Sequence, residues 1–348
     1  VQKMKIVSPM IIVLFLFLGK GDGIDYPSSI TPLNEVIDKV PEFFVLDWKE
    51  GTKLYQKKTG FFIEIDSLGK QEVVALVNER ENPVLYSADI STPVCADGEC
   101  KLMNIIFYWT LLGEYAGFDR YPEFPLTKHD HDEFQISDYQ KLHELLVDDK
   151  SILARRSIDQ LVDKPKMRTV NGVDALSGAT IAEVKESVVS GALYSCYTAW
   201  HLVHGDIREQ LKEHSVSILN DNMLIDMLYS TNGDYQLFAL EKIDTESYRE
   251  HFRQIVKVFK TSTPLVRSII AKQLVSRYKD TPDLQSPFWE NFVDVDSGTR
   301  SLLLKQLDVA PEYVLEMISP KLNVMSKNQL NLFLGHLSKK NNLNSEVR

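Results

Sequence analysis

Cysteine is scarce in this chain, with three thiols in 348 residues. A disulfide-dense scaffold is therefore excluded. No Cys-x-x-Cys-His occurs, so the chain is not itself a c-type cytochrome. There is no long basic run and the formal net charge is −10, which argues against nucleic acid as a partner. Gly-x-Ser-x-Gly, a Walker phosphate loop and Gly-x-Gly-x-x-Gly are all missing. Nucleophilic hydrolysis and nucleotide-triphosphate chemistry thus have no sequence support. Beyond the first twenty-odd residues, no stretch is apolar enough to span a bilayer.

What is present begins with Lys3 and Lys5, an apolar run over residues 6–18 and the exit Gly19-Lys20-Gly21-Asp22-Gly23. This order reads as a secretory signal over residues 1–23 and predicts export, to the periplasm or the periplasmic face of the membrane. The run is short for a spanning helix, and an uncleaved anchor is the alternative. No Cys lies near the exit, so a lipid anchor is not expected. The rest has room for about two domains. The whole chain's 44% hydrophobic and 25% charged residues are those of a globular protein.

Cys95 and Cys100 flank Ala96-Asp97-Gly98-Glu99. Asp-Gly between apolar stretches predicts a hairpin turn. In an oxidising compartment the two thiols are expected to bridge it. So small a loop gains about 2 kcal/mol. A metal site, which needs two further ligands, and a redox-active dithiol are the alternatives. Cys196 lies in a helical apolar pattern and is expected to be a buried, inert thiol.

Residues 24–59 read as an irregular lead-in with one helix around 33–44. Strand patterns follow at 60–66, 72–77, 83–88 and 102–110, the last rich in β-branched and aromatic residues. Their short connections predict an antiparallel sheet. A loop is expected from Gly113 to Phe118, a helix over 137–153 capped by Ser137, a basic connector over 155–171 and a helix over 181–204. After Ile207 the texture turns helical, with candidates at 218–228, 235–242, 246–259, 264–278, 288–292, 298–307, 312–318 and 327–337. Paired short helices at irregular spacing hint at HEAT-like repeats. The expected fold is a small α/β domain with antiparallel strands over 60–205, then an all-helical domain over 206–338. A disordered tail over 339–348 is expected after them.

The most informative segment is Asp174-Ala175-Leu176-Ser177-Gly178-Ala179-Thr180. Two small residues permit close backbone approach to a ligand. A helix opening next offers unpaired N–H groups and a positive dipole end, which suits a phosphate. The spelling resembles the motif of the FMN-binding domain family, which includes flavinylated subunits of sodium-pumping NADH:quinone oxidoreductase-type complexes. Where many members continue with Thr-Ser, this chain has Ala182-Glu183.

The resemblance implies that Asp174, Ser177, Gly178 and Ala179 belong to the recognised pattern and that Thr180 is the attachment residue. There a flavin transferase would join FMN through a phosphodiester, with FAD as donor. It implies an exported electron-transfer flavoprotein, more a carrier in a redox relay than a free-standing enzyme. A redox protein or membrane complex would be its partner. Two other classes remain: a scaffold that has lost flavin, and a metal-dependent enzyme.

The metal reading rests on Lys128-His129-Asp130-His131-Asp132-Glu133. On an extended segment His129 and His131 face one side, where a carboxylate could help hold a divalent ion. Trp109, Tyr115 and Phe118 could pack on a flavin ring, although sheet core is the commoner role of such residues. His201 and His204 share a helix face near its C-terminus, where a partly protonated imidazole complements the dipole. Tyr194, Tyr197 and Trp200 form a stripe expected in the core.

Overall fold

The computed structural model describes residues 36–65, 68–94, 102–128, 131–161, 184 and 186–339. The signal-like run, the Cys95–Cys100 turn, His129, Asp130 and the motif from Asp174 to Thr180 lie outside these residues. The architecture is mixed α+β: one antiparallel sheet followed by a helical region.

Seven strands form the sheet: β1 (Val36–Ile37), β2 (Phe43–Phe44), β3 (Leu54–Ile65), β4 (Gly69–Val77), β5 (Pro83–Pro93), β6 (Leu102–Thr110) and β7 (Tyr115–Arg120). β3 to β6 make the expected meander, β7 extends it, and the full order is β1-β3-β4-β5-β6-β7-β2. Every neighbouring pair is antiparallel.

The strand order forces a curl. β1 and β2 sit on opposite edges, yet only residues 38–42 connect them. Extended chain covers about 3.3–3.6 Å per residue, so Ile37 and Phe43 are at most about 20 Å apart. Six strand spacings across a flat sheet would need about 29 Å. The sheet must therefore roll up, with residues 36–48 strapped across it. The strap is well anchored. Glu42 N donates to Asp119 Oδ1 at 2.6 Å, Arg120 Nε donates to Glu42 Oε2 at 2.8 Å, and Phe43 stacks on Phe118 with centroids 4.6 Å apart.

Two sequence expectations fail at this strap. Residues 36–44 hold two short strands in place of the expected helix. Pro41 has no N–H and disfavours helix in the residue before it. The flanking apolar pairs find partners in β3 and β7 instead. The loop expected from Gly113 to Phe118 is mostly β7. Gly113 does turn the chain, at φ +78°. Gly117 is in a strand, because a Cβ there would lie 2.2 Å from the Phe43 carbonyl oxygen of β2.

The sheet has two covered faces. Ile63, Val73, Ala75, Tyr86, Ala88, Ile90, Ile105, Phe107 and Trp109 point into the main core with the helices. Leu54, Leu76, Leu85, Tyr108 and Ala116 face the other way, beneath Ile37, Phe44, Leu46 and Trp48 of the strap. The alternation of strand side chains thus serves two cores.

The helices are α1 (Ile136–Val147), α2 (Ile158–Leu161), α3 (Leu193–His204), α4 (Ile207–Ser217), α5 (Asp221–Tyr229), α6 (Gly233–Lys242), α7 (Thr245–Glu250), α8 (Phe252–Thr261), α9 (Pro264–Arg277), α10 (Ser286–Glu290), α11 (Ser297–Leu304), α12 (Tyr313–Ile318) and α13 (Lys327–Lys339). Several start at a side-chain cap: Asn220 accepts from Met223 N, Asn232 from Asp234 N and Tyr235 N, Asp244 from Ser247 N and Asp296 from Thr299 N. Each cap satisfies donors the helix leaves open.

Four helical details depart from expectation. The N-cap of α1 is Gln135, not Ser137, and its N–H donates to Asp138 Oδ2 at 2.8 Å. The helix expected over 181–204 is interrupted: residues 187–191 are turns and bends, Gly191 takes φ +74°, and α3 starts at Leu193. The helix expected over 246–259 breaks at His251 into α7 and α8. α4 is an addition; its buried side chains are only Ile207, Leu211 and Ser215, too thin a stripe to stand out.

α4 to α6 dock on the sheet. Tyr235 Oη donates to Val84 O at 2.8 Å and accepts from Leu111 N at 2.6 Å. Asp226 accepts from Asn78 Nδ2 and Asn82 Nδ2, and Ser215 Oγ donates to Tyr86 Oη. Arg208 pairs with Glu114. One buried apolar cluster runs from Phe43 in the strap to Phe333 in α13.

Candidate functional site

The motif segment is bracketed by two anchors. Before it, α2 ends at Leu161; after it comes Val184; both side chains are fully buried in the main core. α3 then returns against α1, and three side chains stitch the two together. Trp200 Nε1 donates to Asp148 O at 3.0 Å, His204 Nε2 to Leu146 O at 2.7 Å and His201 Nε2 to Leu153 O at 3.2 Å. The first two satisfy carbonyls that the end of α1 would leave open, and the third reaches the 3-10 turn Ile152–Arg155 that follows it.

The flank of the motif also meets the flank of the His-rich cluster. Ser195 Oγ donates to Thr127 O at 3.5 Å. A Cβ at Gly191 would lie 3.6 Å from Lys128 Cβ, so the chain after Val184 passes directly over this lysine. Lys128 Nζ pairs with Asp138 at 2.8 Å, both half-buried, which ties the loop to the first turn of α1. Thr127 bridges Glu133, and Lys128 N donates to Asp132 O at 2.8 Å. Thr127 and Lys128 are therefore held against Asp132 and Glu133, and His131 beside them is exposed, in left-handed backbone, φ +63°.

Behind this corner lies an aromatic and histidine cluster. Tyr115 Oη and His143 Nδ1 share a hydrogen bond of 2.7 Å. Phe43, Phe118 and Tyr139 surround it, with ring centroids 4.6 to 6.4 Å apart. Trp200 lies 4.7 Å from the His204 ring. Burial raises the Tyr115 hydroxyl well above its ordinary value. Burial also lowers His143, His201 and His204; for the last two, bonds to Leu153 and Leu146 carbonyls act in the opposite, weaker sense. His201 and His204 thus serve as neutral donors that tether α3, whereas His143 of α1 is tied to Tyr115 of β7. That corrects the expectation of a partly protonated histidine complementing the helix end.

The remaining sequence candidates sort clearly. Trp109, Tyr115 and Phe118 are core residues, and Trp109 Nε1 donates to Val203 O at 3.2 Å. Trp200 is buried in the expected stripe, whereas Tyr194 and Tyr197 are only partly so. Cys196 is fully buried; burial pushes its thiol up to about 12, and its sulfur accepts from Val189 N. Among the described residues no three His, Cys, Asp or Glu side chains converge to hold a metal. His143 turns to Tyr115 and not to His131. His129, the Cys95 and Cys100 pair, and Asp174, Ser177, Gly178, Ala179 and Thr180 lie outside the described residues.

Sequence reasoning missed the Lys128–Asp138 pair and the Tyr115–His143 bond. Only the capping position of Asp138 gave a signal for the first. Comparison with protein-family models, with curated proteins and with solved structures gave no match.

Proposed function

We propose that this chain is an exported flavoprotein that carries FMN in ester linkage at Thr180 and passes electrons to a protein partner or membrane complex. The sheet and α1 to α3 would then form an FMN-binding-like domain, and the helices after His204 a HEAT-like stack that presents a surface to the partner. The observation that carries this reading is the motif Asp174-Ala175-Leu176-Ser177-Gly178-Ala179-Thr180. Two features support it. Leu161 and Val184, the described residues on either side of the motif, are both fully buried in the main core, and functional segments are commonly carried on such a scaffold. The antiparallel strands also precede the motif, in the order the resemblance implies.

The side chains available fit a phosphoryl group. Ser177 and Thr180 supply hydroxyls, and Gly178 and Ala179 have no side chain large enough to block their N–H groups. Attachment balances as a phosphoryl transfer. Thr180 Oγ forms the new P–O bond, the pyrophosphate P–O bond of FAD breaks, AMP leaves and the hydroxyl proton passes to the transferase. The isoalloxazine, when bound, supplies the redox chemistry. Asp174 is assigned to guiding the transferase or its metal. Lys128 is a cation beside the chain that returns from the motif.

The test is intact mass and peptide mapping after expression with a flavin transferase. The expected result is a mass gain equal to FMN less water on the Thr180 peptide, lost in Thr180→Ala with folding unchanged. A colourless, unmodified protein that releases no flavin on denaturation overturns the proposal and leaves the scaffold reading in its place.

A further inference from the structure

α9 and α11 pack side by side, and between them and the turns that follow lies an open groove of about 630 Å³. Its floor is apolar, from Val275, Leu302 and Val309. Val309 is the most exposed large apolar side chain among the described residues, at 64%. Its rim is cationic, from Lys272, Lys279 and Lys305, all exposed. Among the described residues none of the three has a carboxylate within ion-pair distance. The nearest acidic neighbours in sequence are engaged elsewhere: Asp280 with Arg249, and Asp308 with His336 and Lys339. A chain of net charge −10 thus presents three uncompensated lysines around one apolar strip.

One wall is the face of α9 that carries Lys272, Val275 and Ser276, with Lys279 just past its end; the other is Leu302 of α11 and the turn after it, with Lys305, Gln306 and Val309. The floor is braced, because Gln306 Nε2 donates to Ala271 O while its Oε1 accepts from Val275 N. It is also shallow, which favours the side chains of a docked helix over an enclosed acyl chain.

We propose that this groove docks an acidic amphipathic helix of a partner protein. Leucine-like side chains cover Val275, Leu302 and Val309, and flanking Glu or Asp residues meet the three lysines. The acidic occupant follows from charge complementarity, which sets partner choice and encounter rate. The assignment does not depend on flavin at Thr180.

The test uses the full chain and a fluorescent peptide of about 18 residues, with leucines at i, i+3, i+4 and i+7 and flanking glutamates. The peptide is expected to bind saturably, and more weakly as salt rises. The combined change Lys272→Glu, Lys279→Glu and Lys305→Glu should weaken it about tenfold or more, and so should Val309→Asp. Circular dichroism and Tm should not change, since all four side chains are exposed. A matched peptide with lysine flanks should not bind. Absent binding, or equal binding by the variants, overturns the proposal. So does co-sedimentation with phosphatidylglycerol vesicles that the triple variant loses while the peptide stays unbound, which would assign the groove to a membrane surface.

Discussion

The sheet half and the helical half are held together by different kinds of bond. In the sheet half, partners lie far apart in sequence: Phe43 against Phe118, Glu42 with Arg120, Trp109 Nε1 on Val203 O. In the helical half most polar closure is local, through caps at Asn220, Asn232, Asp244 and Asp296. Polar satisfaction differs as well. Among the described residues Tyr248 Oη, Tyr278 Oη and Trp289 Nε1 are buried without a hydrogen-bond partner, and all three belong to the helical half. At the junction Tyr235 Oη is bonded twice. One region is fixed by specific long-range pairing, the other by apolar packing between units that start and stop themselves.

The largest effect that would test this contrast is a deletion in the strap's support. Phe118→Ala removes a fully buried ring stacked on Phe43 and should cost about 3–5 kcal/mol. Hydrogen exchange should rise across β2 and β7 together. If protection fell only at β7, the strap would not be coupled to it.

Next come matched tyrosines. Tyr235→Phe strands Leu111 N and Val84 O and should cost about 1–3 kcal/mol in denaturant unfolding. Tyr248→Phe removes an unpartnered hydroxyl and should shift stability by less than about 0.5 kcal/mol. Equal costs would erase the distinction. Smaller again, Asp296→Ala removes the α11 cap and should cost about 1 kcal/mol, with exchange confined to that helix.

The last prediction concerns pH. Folding lowers the values of His143, His201 and His204, so below an ordinary imidazole value of about 6.5 the unfolded chain takes up protons first. Stability is then complete above that pH and falls as pH drops from it toward the lower folded values. Unfolding midpoints at neutral and mildly acid pH should show this fall, and His143→Gln combined with His204→Gln should flatten it. The corner of α1 and α3 should open before the distal helices.

The same contrast explains what could be read from the sequence. Helices from Asp221 onward were legible because a cap residue and an apolar period lie within one helix length, as at Asn220 and Asp296. Strands β4 to β6 and the second half of β3 were legible for a similar reason, as each alternates and turns back on its neighbour, whereas residues 54–59 of β3 read as lead-in. The strap was not. Val36, Ile37, Phe43 and Phe44 become strands only because β3 and β7 are waiting, and no local signal carries that pairing. Gly117 misled for the same reason: it reads as a loop residue, whereas it is needed to let another strand pass. In the candidate site, the motif was visible as spelling alone. The approach of Lys128 to Gly191 is a tertiary fact that no spacing rule reports.

The strap also sets an order of events. Its residues are made before all other parts of the sheet, but β2 cannot find its place until Phe118 exists, some 75 positions later. Until the strap docks, the outer edge of β7 has no neighbour, and an unpaired edge invites a second chain. The closing step adds only two short ladders at the sheet's two rims. Its chief consequence is therefore colloidal: it covers part of each open rim, so a chain cut or mutated ahead of Phe43 should retain its helices and gain a tendency to self-associate.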